Sequence, residues 1–316
     1  SAAGADTDPD ALTIPLIPYR GTYHIKVEAI SKNASTGEKK IFKTLERNFE
    51  VKDYLIVVMG DSFASGEGNP DVKGDNATWL EPMAHRSFKG ALSLIAAKLE
   101  ADDPHSCVTF VNVATSGAKT SHGLLFQQHP DWQIKGQIEE VKDYIRGRKI
   151  HMILLSIGLN DFGDASGMSA LIEAAVHPGP PEFLQSDEYY FAKDMVSNIE
   201  FRYLEVYEKI MGALHCKDVV LFQMPVQFMC NASGNLTDGC GALITMEDED
   251  ILKLEELGNL LISKQRQVCQ RYQWLYIDGV SDLLRNHGYC SADQSWFVFI
   301  SESLENQGDI NGSVHP

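Results

Sequence analysis

An apolar run that stops abruptly is the feature that most constrains the fold of this chain. Residues Tyr54–Met59 are apolar or aromatic, and the run ends at Gly60, Asp61 and Ser62. A short apolar run bounded by glycine is typical of a strand covered on both faces of a parallel sheet. Reactive groups in such sheets lie beyond the carboxyl ends of the strands. Ser62 is therefore a candidate nucleophile, and an ordinary strand-to-loop turn rich in small residues is the alternative.

Strand-like and helix-like segments alternate after Tyr54, which predicts a parallel sheet with helices on both faces. Four further strands are predicted at 108–113, 150–157, 218–223 and 274–277, and four helices at 88–100, 134–146, 190–214 and 248–272. The expected fold class is α/β, with a five-stranded parallel sheet. A proline-containing insertion at 164–188 is expected to form a lid or a substrate wall.

The chain before Tyr54 has a different pattern. Residues 23–29 and 41–51 alternate apolar and polar side chains around a polar turn at 31–40, which predicts a β-hairpin. We therefore predict two parts, a lead-in and hairpin extension at 1–52 and the main domain at 53–316.

Charge and composition exclude several kinds of partner. Hydrophobic residues make up 44% and charged residues 22% of the chain, which is ordinary for a globular protein. The net charge of −17 argues against nucleic acid or an anionic membrane as a partner, because both require clustered Lys and Arg. A neutral or weakly charged small molecule fits better. No apolar run approaches the length of a transmembrane segment.

Six cysteines form an even, scattered set without a Cys-x-x-Cys pair, which argues against a zinc ribbon or a thioredoxin-like motif. Such a set fits disulfides in an oxidising compartment, and buried free thiols are the alternative. The loop between Cys230 and Cys240 is short and rich in turn residues, so we predict that these two are bonded. The pairing of the other four stays open; they are Cys107, Cys216, Cys269 and Cys290.

Small or polar residues follow the first three predicted strands, at 60–62, 112–118 and 158–161. Acyl transfer needs a nucleophilic oxygen, a base to take its proton and donors for the oxyanion. Ser62 supplies an oxygen. Gly117 has no Cβ, so its backbone N–H can approach a reacting carbonyl closely. The side-chain amide of Asn160 can donate a second hydrogen bond.

These blocks, with His315-Pro316 near the end of the chain, resemble in kind and order the four blocks of the SGNH (GDSL) hydrolases. The resemblance covers 54–316 and implies a three-layer α/β/α, flavodoxin-like fold. It implies ester hydrolysis without a metal or cofactor, with Ser62 as nucleophile and His315 as base. The implied oxyanion hole is the Ser62 N–H, the Gly117 N–H and Asn160 Nδ2. The cysteines and the segments at 116–118 and 289–291 look like the secreted bacterial branch of esterases and lipases, which implies a secreted, periplasmic or cell-surface protein.

The last block departs from the family pattern. The family usually has an aspartate three residues before the histidine, and this chain has Gly312 there. We predict a Ser62–His315 dyad in which a main-chain carbonyl near Gly312 orients the imidazole. Asp309 is the alternative acid if the following residues form a tight turn.

Other residues compete for these roles. His129, His177 and His287 are alternative bases, although the first two follow strands after which the family does not place its base. Ser65 lies three residues past the strand end and is expected to cap or line the turn, and Asp61 is expected to order it.

Three functions remain open on the sequence. The leading hypothesis is a serine esterase or lipase; the alternatives are an acyltransferase using the same site and a non-catalytic binding module on a hydrolase fold. Lipid, acetylated carbohydrate and small soluble esters all stay open as substrates.

Overall fold

The structure is a computed structural model, and it describes residues 21–103, 106–131, 133–162, 186–223, 230–234, 248–313 and 315. The chain divides into two compact units. One comprises the chain up to Asp53 together with Asp103–Cys107, and the other comprises Tyr54–Asp102 and Val108–Pro316.

The first unit contains the predicted hairpin. Strand β1 (Gly21–Lys32) pairs antiparallel with the first part of strand β2 (Lys39–Gly60). The side-chain oxygen of Asn33 accepts the backbone N–H groups of Ser35 and Thr36, which is the local hydrogen bonding that favours a turn. The hairpin prediction is confirmed, and both strands extend further than the alternation of side chains indicated.

The second unit is built on a central sheet. Its strands are the last part of β2, β3 (Ser106–Asn112), β4 (Met152–Ser156), β5 (Val219–Phe222) and β6 (Leu275–Ile277). Their order is β3-β2-β4-β5-β6, and β2, β4, β5 and β6 run parallel to one another. All five predicted strands are present, so the α/β prediction is confirmed.

Helices cover both faces of this sheet. They are α1 (Ser62–Ser65), α2 (Ala91–Asp102), α3 (Gln137–Ile145), α4 (Ser186–Ser197), α5 (Ile199–Lys209), α6 (Asp248–Tyr272), α7 (Val280–Leu284) and α8 (Ile300–Gln307). None of the helices in the described ranges is long and apolar enough to cross a bilayer.

The predicted single helix at 190–214 is wrong. It is divided at Asn198, and its last turn, Ile210–Leu214, is a π-helix. The side chain of Asn198 donates to the carbonyl of Asp194 at 2.9 Å. Such local side-chain bonds compete with regular helical hydrogen bonding, which explains the break. Of the predicted insertion at 164–188, residues 164–185 lie outside the described residues.

Alternate side chains of β2 enter two different hydrophobic cores. Leu55, Val57 and Met59 pack with side chains of α3, α5 and α6 on one face of the sheet. Ile56 and Val58 pack with side chains of α1 and α2 on the other. Leu55–Met59 are all 3% exposed or less, as expected for a strand covered on both faces. This arrangement is the predicted three-layer α/β/α fold.

The predicted Cys230–Cys240 disulfide is wrong. Cys230 is a buried free thiol, and Cys240 lies outside the described residues. Among the cysteines that the structure describes, Cys290 belongs to a disulfide, and the backbone of Asn231 pairs with that of Cys290 in an isolated bridge. A short, turn-rich loop after Cys230 was therefore not sufficient to predict a disulfide there.

Gly60 is required where β2 ends. Its φ is +134°, and a Cβ at this position would lie 1.9 Å from the carbonyl oxygen of Ser156 in the neighbouring strand. We expect Gly60→Ala to lower the free energy of unfolding by about 3 kcal/mol or more, because backbone strain and overpacking add.

Urea unfolding followed by circular dichroism measures this effect. Gly147→Ala is the matched control, since Gly147 also has a positive φ but has no atom within 4 Å of the added Cβ. Equal losses in the two variants would mean that backbone strain alone matters at Gly60.

Candidate active site

The end of β2 presents Ser62 at the start of a helix. The side chain of Gln137 holds Gly60 on both sides, with Gly60 N–H donating to Oε1 and Nε2 donating to the Gly60 carbonyl, each at 2.8 Å. Asp61 is the N-cap of α1. Ser62, the first residue of α1, is 3% exposed. A serine oxygen at the first position of a helix lies near backbone N–H groups, whose dipoles favour a developing negative charge.

Asp61 acts as a cap rather than as a base. One of its carboxylate oxygens accepts the backbone N–H of Phe63 at 3.2 Å. Burial raises the pKa of Asp61 well above its ordinary value, and the charge of Asp161 adds to the effect. The expectation that Asp61 orders the turn agrees with this geometry.

Ser65 is fully buried and points back to the same turn. Its hydroxyl donates to the carbonyl oxygen of Ser62 at 3.1 Å. This bond stabilises α1, and Ser65 is not among the described residues that line the cavity described below, whereas Ser62 is.

His315 is held by the backbone around it. Its Nδ1 lies 3.0 Å from the carbonyl oxygen of Ser313, and its own carbonyl accepts the N–H of Val298 at 2.8 Å. The imidazole is 2% exposed, and its centroid lies 5.2 Å from that of the Phe63 ring. Nε2 is buried with no hydrogen-bond partner among the described residues. The nitrogen that a serine hydroxyl would approach is thus open, while the other is fixed.

The carbonyl beside Nδ1 belongs to Ser313 and not to Gly312. The Gly312 carbonyl accepts the backbone N–H of His315 at 3.4 Å. Asp309 directs its carboxylate elsewhere, since Oδ1 accepts from Gln307 Nε2 at 2.6 Å and from the N–H of Asn311 at 2.8 Å. The geometry therefore gives His315 a main-chain partner and gives Asp309 a role in the turn.

The rival histidines have other surroundings. His287 stacks on Trp296 with ring centroids 3.8 Å apart, and its Nδ1 contacts the carbonyl of Gln294 at 2.8 Å. Neither His287 nor His129 is among the described residues that line the cavity with Ser62. His177 lies outside the described residues.

Gly117 and Asn160 lie in the loops that follow β3 and β4. Gly117 has a φ of +76°, and Asn160 is 1% exposed in the turn Leu159–Asp161. Asn160 Nδ2 donates to the carbonyl of Ala118 at 3.1 Å, which ties the two loops together. An amide nitrogen carries two hydrogens, so one stays available to a substrate.

Main-chain bonds connect both loops to the end of β2. The N–H of Thr115 donates to the Gly60 carbonyl at 3.1 Å, and the N–H of Asp61 donates to the Ser156 carbonyl at 2.9 Å. These bonds bring the three strand ends to one edge of the sheet. The apolar cavity beside Ser62 is not lined by Gly117 or Asn160.

Ser62 and His315 line one cavity of about 300 Å³. Most of its wall is apolar, including Phe63, Leu92, Ile95, Phe222, Leu283 and Leu284. Leu283 is 71% and Trp296 54% exposed, so the rim of the cavity is also apolar. A pocket of this size, with an apolar wall and a few polar groups, suits an apolar ligand with one polar function.

Glu67 is a buried acid in this cavity that sequence reasoning missed. Its side chain is fully buried and receives a hydrogen bond from His85 Nδ1 at 2.8 Å. One feature of the sequence could have indicated it: Glu67 is a charged residue between Gly66 and Gly68, directly after the turn that carries the nucleophile. Within the described ranges, no three His, Cys, Asp or Glu side chains come together as a metal site.

The fold has known relatives among solved structures. The structure is similar to that of an extracellular lipase from Streptomyces rimosus, with a TM-score of 0.58 and 19% identity over 83% of this chain and 92% of that one. It is also similar to phospholipase A1 from Streptomyces albidoflavus, with a TM-score of 0.57 and 22% identity over the same shares of the two chains.

The chain has the fold of these two enzymes. No family model matches the sequence, and no curated protein matches it either. The likeness therefore lies in the path of the backbone, and the chemistry must be argued from the side chains of the site.

Proposed function

We propose that the chain is a serine ester hydrolase of the SGNH type, acting on carboxylic esters with an apolar acyl chain. One observation carries this proposal: Ser62, at the start of α1, and His315 line the same apolar cavity. His315 has Nδ1 on a main-chain carbonyl and Nε2 without a partner among the described residues. A general base needs one imidazole nitrogen held and the other free to take the serine proton, and both conditions are met at His315.

In the first half of the reaction, Ser62 Oγ attacks the carbonyl carbon while His315 Nε2 takes its proton. The N–H groups of Ser62 and Gly117 and Nδ2 of Asn160 stabilise the resulting oxyanion. The ester C–O bond then breaks, and the alcohol leaves with the proton from His315. Water gives a proton to His315 and attacks the acyl-enzyme, which releases the acid and returns the proton to Ser62.

The cavity walls favour a longer acyl chain over an acetyl group. Burying one methylene contributes about 0.8 kcal/mol, which is about fourfold in kcat/KM for each added carbon until the cavity is full. A series of p-nitrophenyl esters from acetate to decanoate tests this. A steep rise along the series is expected, and a maximum at acetate would contradict the apolar acyl site. Absence of hydrolysis along the whole series would contradict the esterase itself.

The lipase from Streptomyces rimosus that shares this fold is extracellular, and we propose an extracellular or cell-surface location for this chain. Western blotting of culture medium against cell lysate, with the native gene in its host, tests this location. Retention of the full-length protein in the cytosol would contradict it.

Asn160→Ala is expected to lower kcat by about a hundredfold, the usual cost of losing one oxyanion donor. Asn160→Asp is the matched variant, because it keeps the size of the side chain and removes its donors. Steady-state kinetics on one p-nitrophenyl ester measures both. An effect confined to KM would mean that Asn160 binds the substrate without stabilising the transition state.

The pH dependence follows from the burial of His315. Burial lowers the pKa of His315 below its ordinary value of 6.5, although the charge of Glu67 acts in the opposite direction. The neutral imidazole is the base, so activity appears as pH rises through this pKa. We therefore expect the acid limb of the kcat/KM profile to have its midpoint below pH 6.5. A midpoint above that value would contradict His315 as the titrating base.

A further inference from the structure

Glu67 is the buried acid of the cavity that the reaction described above does not use. Its side chain is fully buried, and it lines the cavity together with Ser62 and His315. The backbone N–H of Glu67 donates to the Ser62 carbonyl at 3.1 Å. The carboxylate is therefore fixed one turn after the nucleophile, inside the same pocket.

The side chains of His85, Gln307 and Ser116 hydrogen-bond to the Glu67 carboxylate. His85 Nδ1 lies 2.8 and 2.9 Å from its two oxygens. Gln307 Nε2 donates to Oε1 at 2.8 Å, and Oε1 of the same glutamine accepts the N–H of Gly68 at 3.1 Å. The ring of His85 stacks on Trp79 with centroids 4.5 Å apart. The carboxylate is thus oriented by neighbours that are themselves held in place.

Glu67 keeps its negative charge in spite of its burial. Burial alone would raise its pKa, but the hydrogen bond from His85 and the charges of His85 and His315 lower it. The charge acts on His315 in return and raises the pKa of that imidazole against the effect of burial. Glu67 and His315 are therefore electrostatically coupled in the interior.

We propose that Glu67 is a positioning residue that holds a negative charge beside His315 and stabilises its imidazolium during acyl transfer. Its carboxylate would replace the aspartate that the family usually has at the position of Gly312, while the Ser313 carbonyl orients the ring. This role rests on the proposed esterase function, because it matters only if His315 takes the Ser62 proton.

The charged groups around Glu67 determine in which direction the pKa of His315 should change when one of them is removed. His85 faces it from the turn after 82–84, and Asp309, which follows α8, is linked to it through Gln307. The bond to Glu67 and the charges of Glu67 and Asp309 raise the pKa of His85 above 6.5 in spite of its burial. His85 is therefore protonated while His315 titrates at lower pH, and its cation helps to keep Glu67 ionised.

The test measures the pKa of His315 by NMR of its ring, assigned by loss of the signal in His315→Ala. Glu67→Gln removes the charge and keeps the shape, so the His315 pKa should fall. His85→Gln removes the cation and the charged hydrogen bond that lower the Glu67 pKa, so the buried Glu67 takes up a proton more readily and the His315 pKa should fall in this variant too. A fall in both variants, beside a smaller change in Asp309→Asn, is not produced by a general loss of packing.

Turnover gives the second readout. An opposite charge nearby commonly shifts a pKa by about one unit or more, so Glu67→Gln should lower kcat about tenfold or more. The acid limb of its kcat/KM profile should also move to lower pH. Asp309→Asn is the matched control, since it neutralises the other carboxylate bound to Gln307; the His315 pKa should change less in it than in Glu67→Gln.

The outcomes separate this role from the esterase function. A fall in kcat with an unmoved His315 pKa in Glu67→Gln would overturn the role, because only structure would then have been lost. If Glu67→Gln does not fold, an unmoved His315 pKa in His85→Gln overturns it equally. The NMR measurement needs no turnover. A wild-type protein that a fluorophosphonate does not label would instead overturn the proposed function.

Discussion

Ser62→Ala is expected to abolish ester hydrolysis while the protein stays folded. The substitution removes the only atom that would form the acyl-enzyme, and loss of a catalytic serine leaves only the contribution of the oxyanion hole and substrate binding. We expect kcat to fall by at least about a thousandfold. The fold should tolerate the change, because no hydrogen bond of the fold described above depends on the Ser62 hydroxyl.

Covalent labelling measures this loss directly. A fluorophosphonate should label the wild-type protein and not Ser62→Ala, and peptide mass spectrometry should place the label on Ser62. Ser65→Ala is the matched control, because Ser65 is a fully buried serine in the same turn whose hydroxyl donates to the Ser62 carbonyl. Ser65→Ala should still be labelled. A labelled Ser62→Ala protein with its activity retained would remove Ser62 from the reaction.

The strands of the second unit could be predicted because each is a short apolar run with a clear end. Leu55–Met59 is the plainest case, since burial on both faces demands apolar side chains at every position. Hydrophobic periodicity could not predict that Ser62 and His315, which are 253 residues apart in the chain, lie close together. That expectation followed from the order of the sequence blocks, and the structure brings both residues into one cavity.

The missed features depend on contacts between distant segments. Glu67 and His85 lie in loops without a periodic pattern, so nothing local indicated that they would meet. The Cys230 prediction failed because it relied on the nearest cysteine in the chain. At the break, the Asn198 side chain donates to both the carbonyl and the carboxylate of Asp194, whereas the helical periodicity of the sequence continues across it.

His315→Ala is expected to be nearly as damaging as loss of the nucleophile. Without the imidazole, the Ser62 proton has no acceptor, and the leaving alcohol has no donor. We expect a loss of about a thousandfold or more in kcat. The substitution empties a buried site next to Phe63, so added imidazole should restore part of the activity. Such rescue would separate a missing base from a disturbed fold.

Comparing Asp309→Ala with His315→Ala tests whether a carboxylate or a main-chain carbonyl holds His315. A carboxylate on Nδ1 would stabilise the imidazolium, and its loss would cost several orders of magnitude. Here Nδ1 contacts the Ser313 carbonyl, and Asp309 Oδ1 accepts from Gln307 and Asn311. We therefore expect near-normal kcat for Asp309→Ala beside near-complete loss for His315→Ala. Because Gln307 also binds Glu67, a decrease of a few fold in Asp309→Ala fits this arrangement, whereas a collapse equal to that of His315→Ala would make Asp309 the catalytic acid.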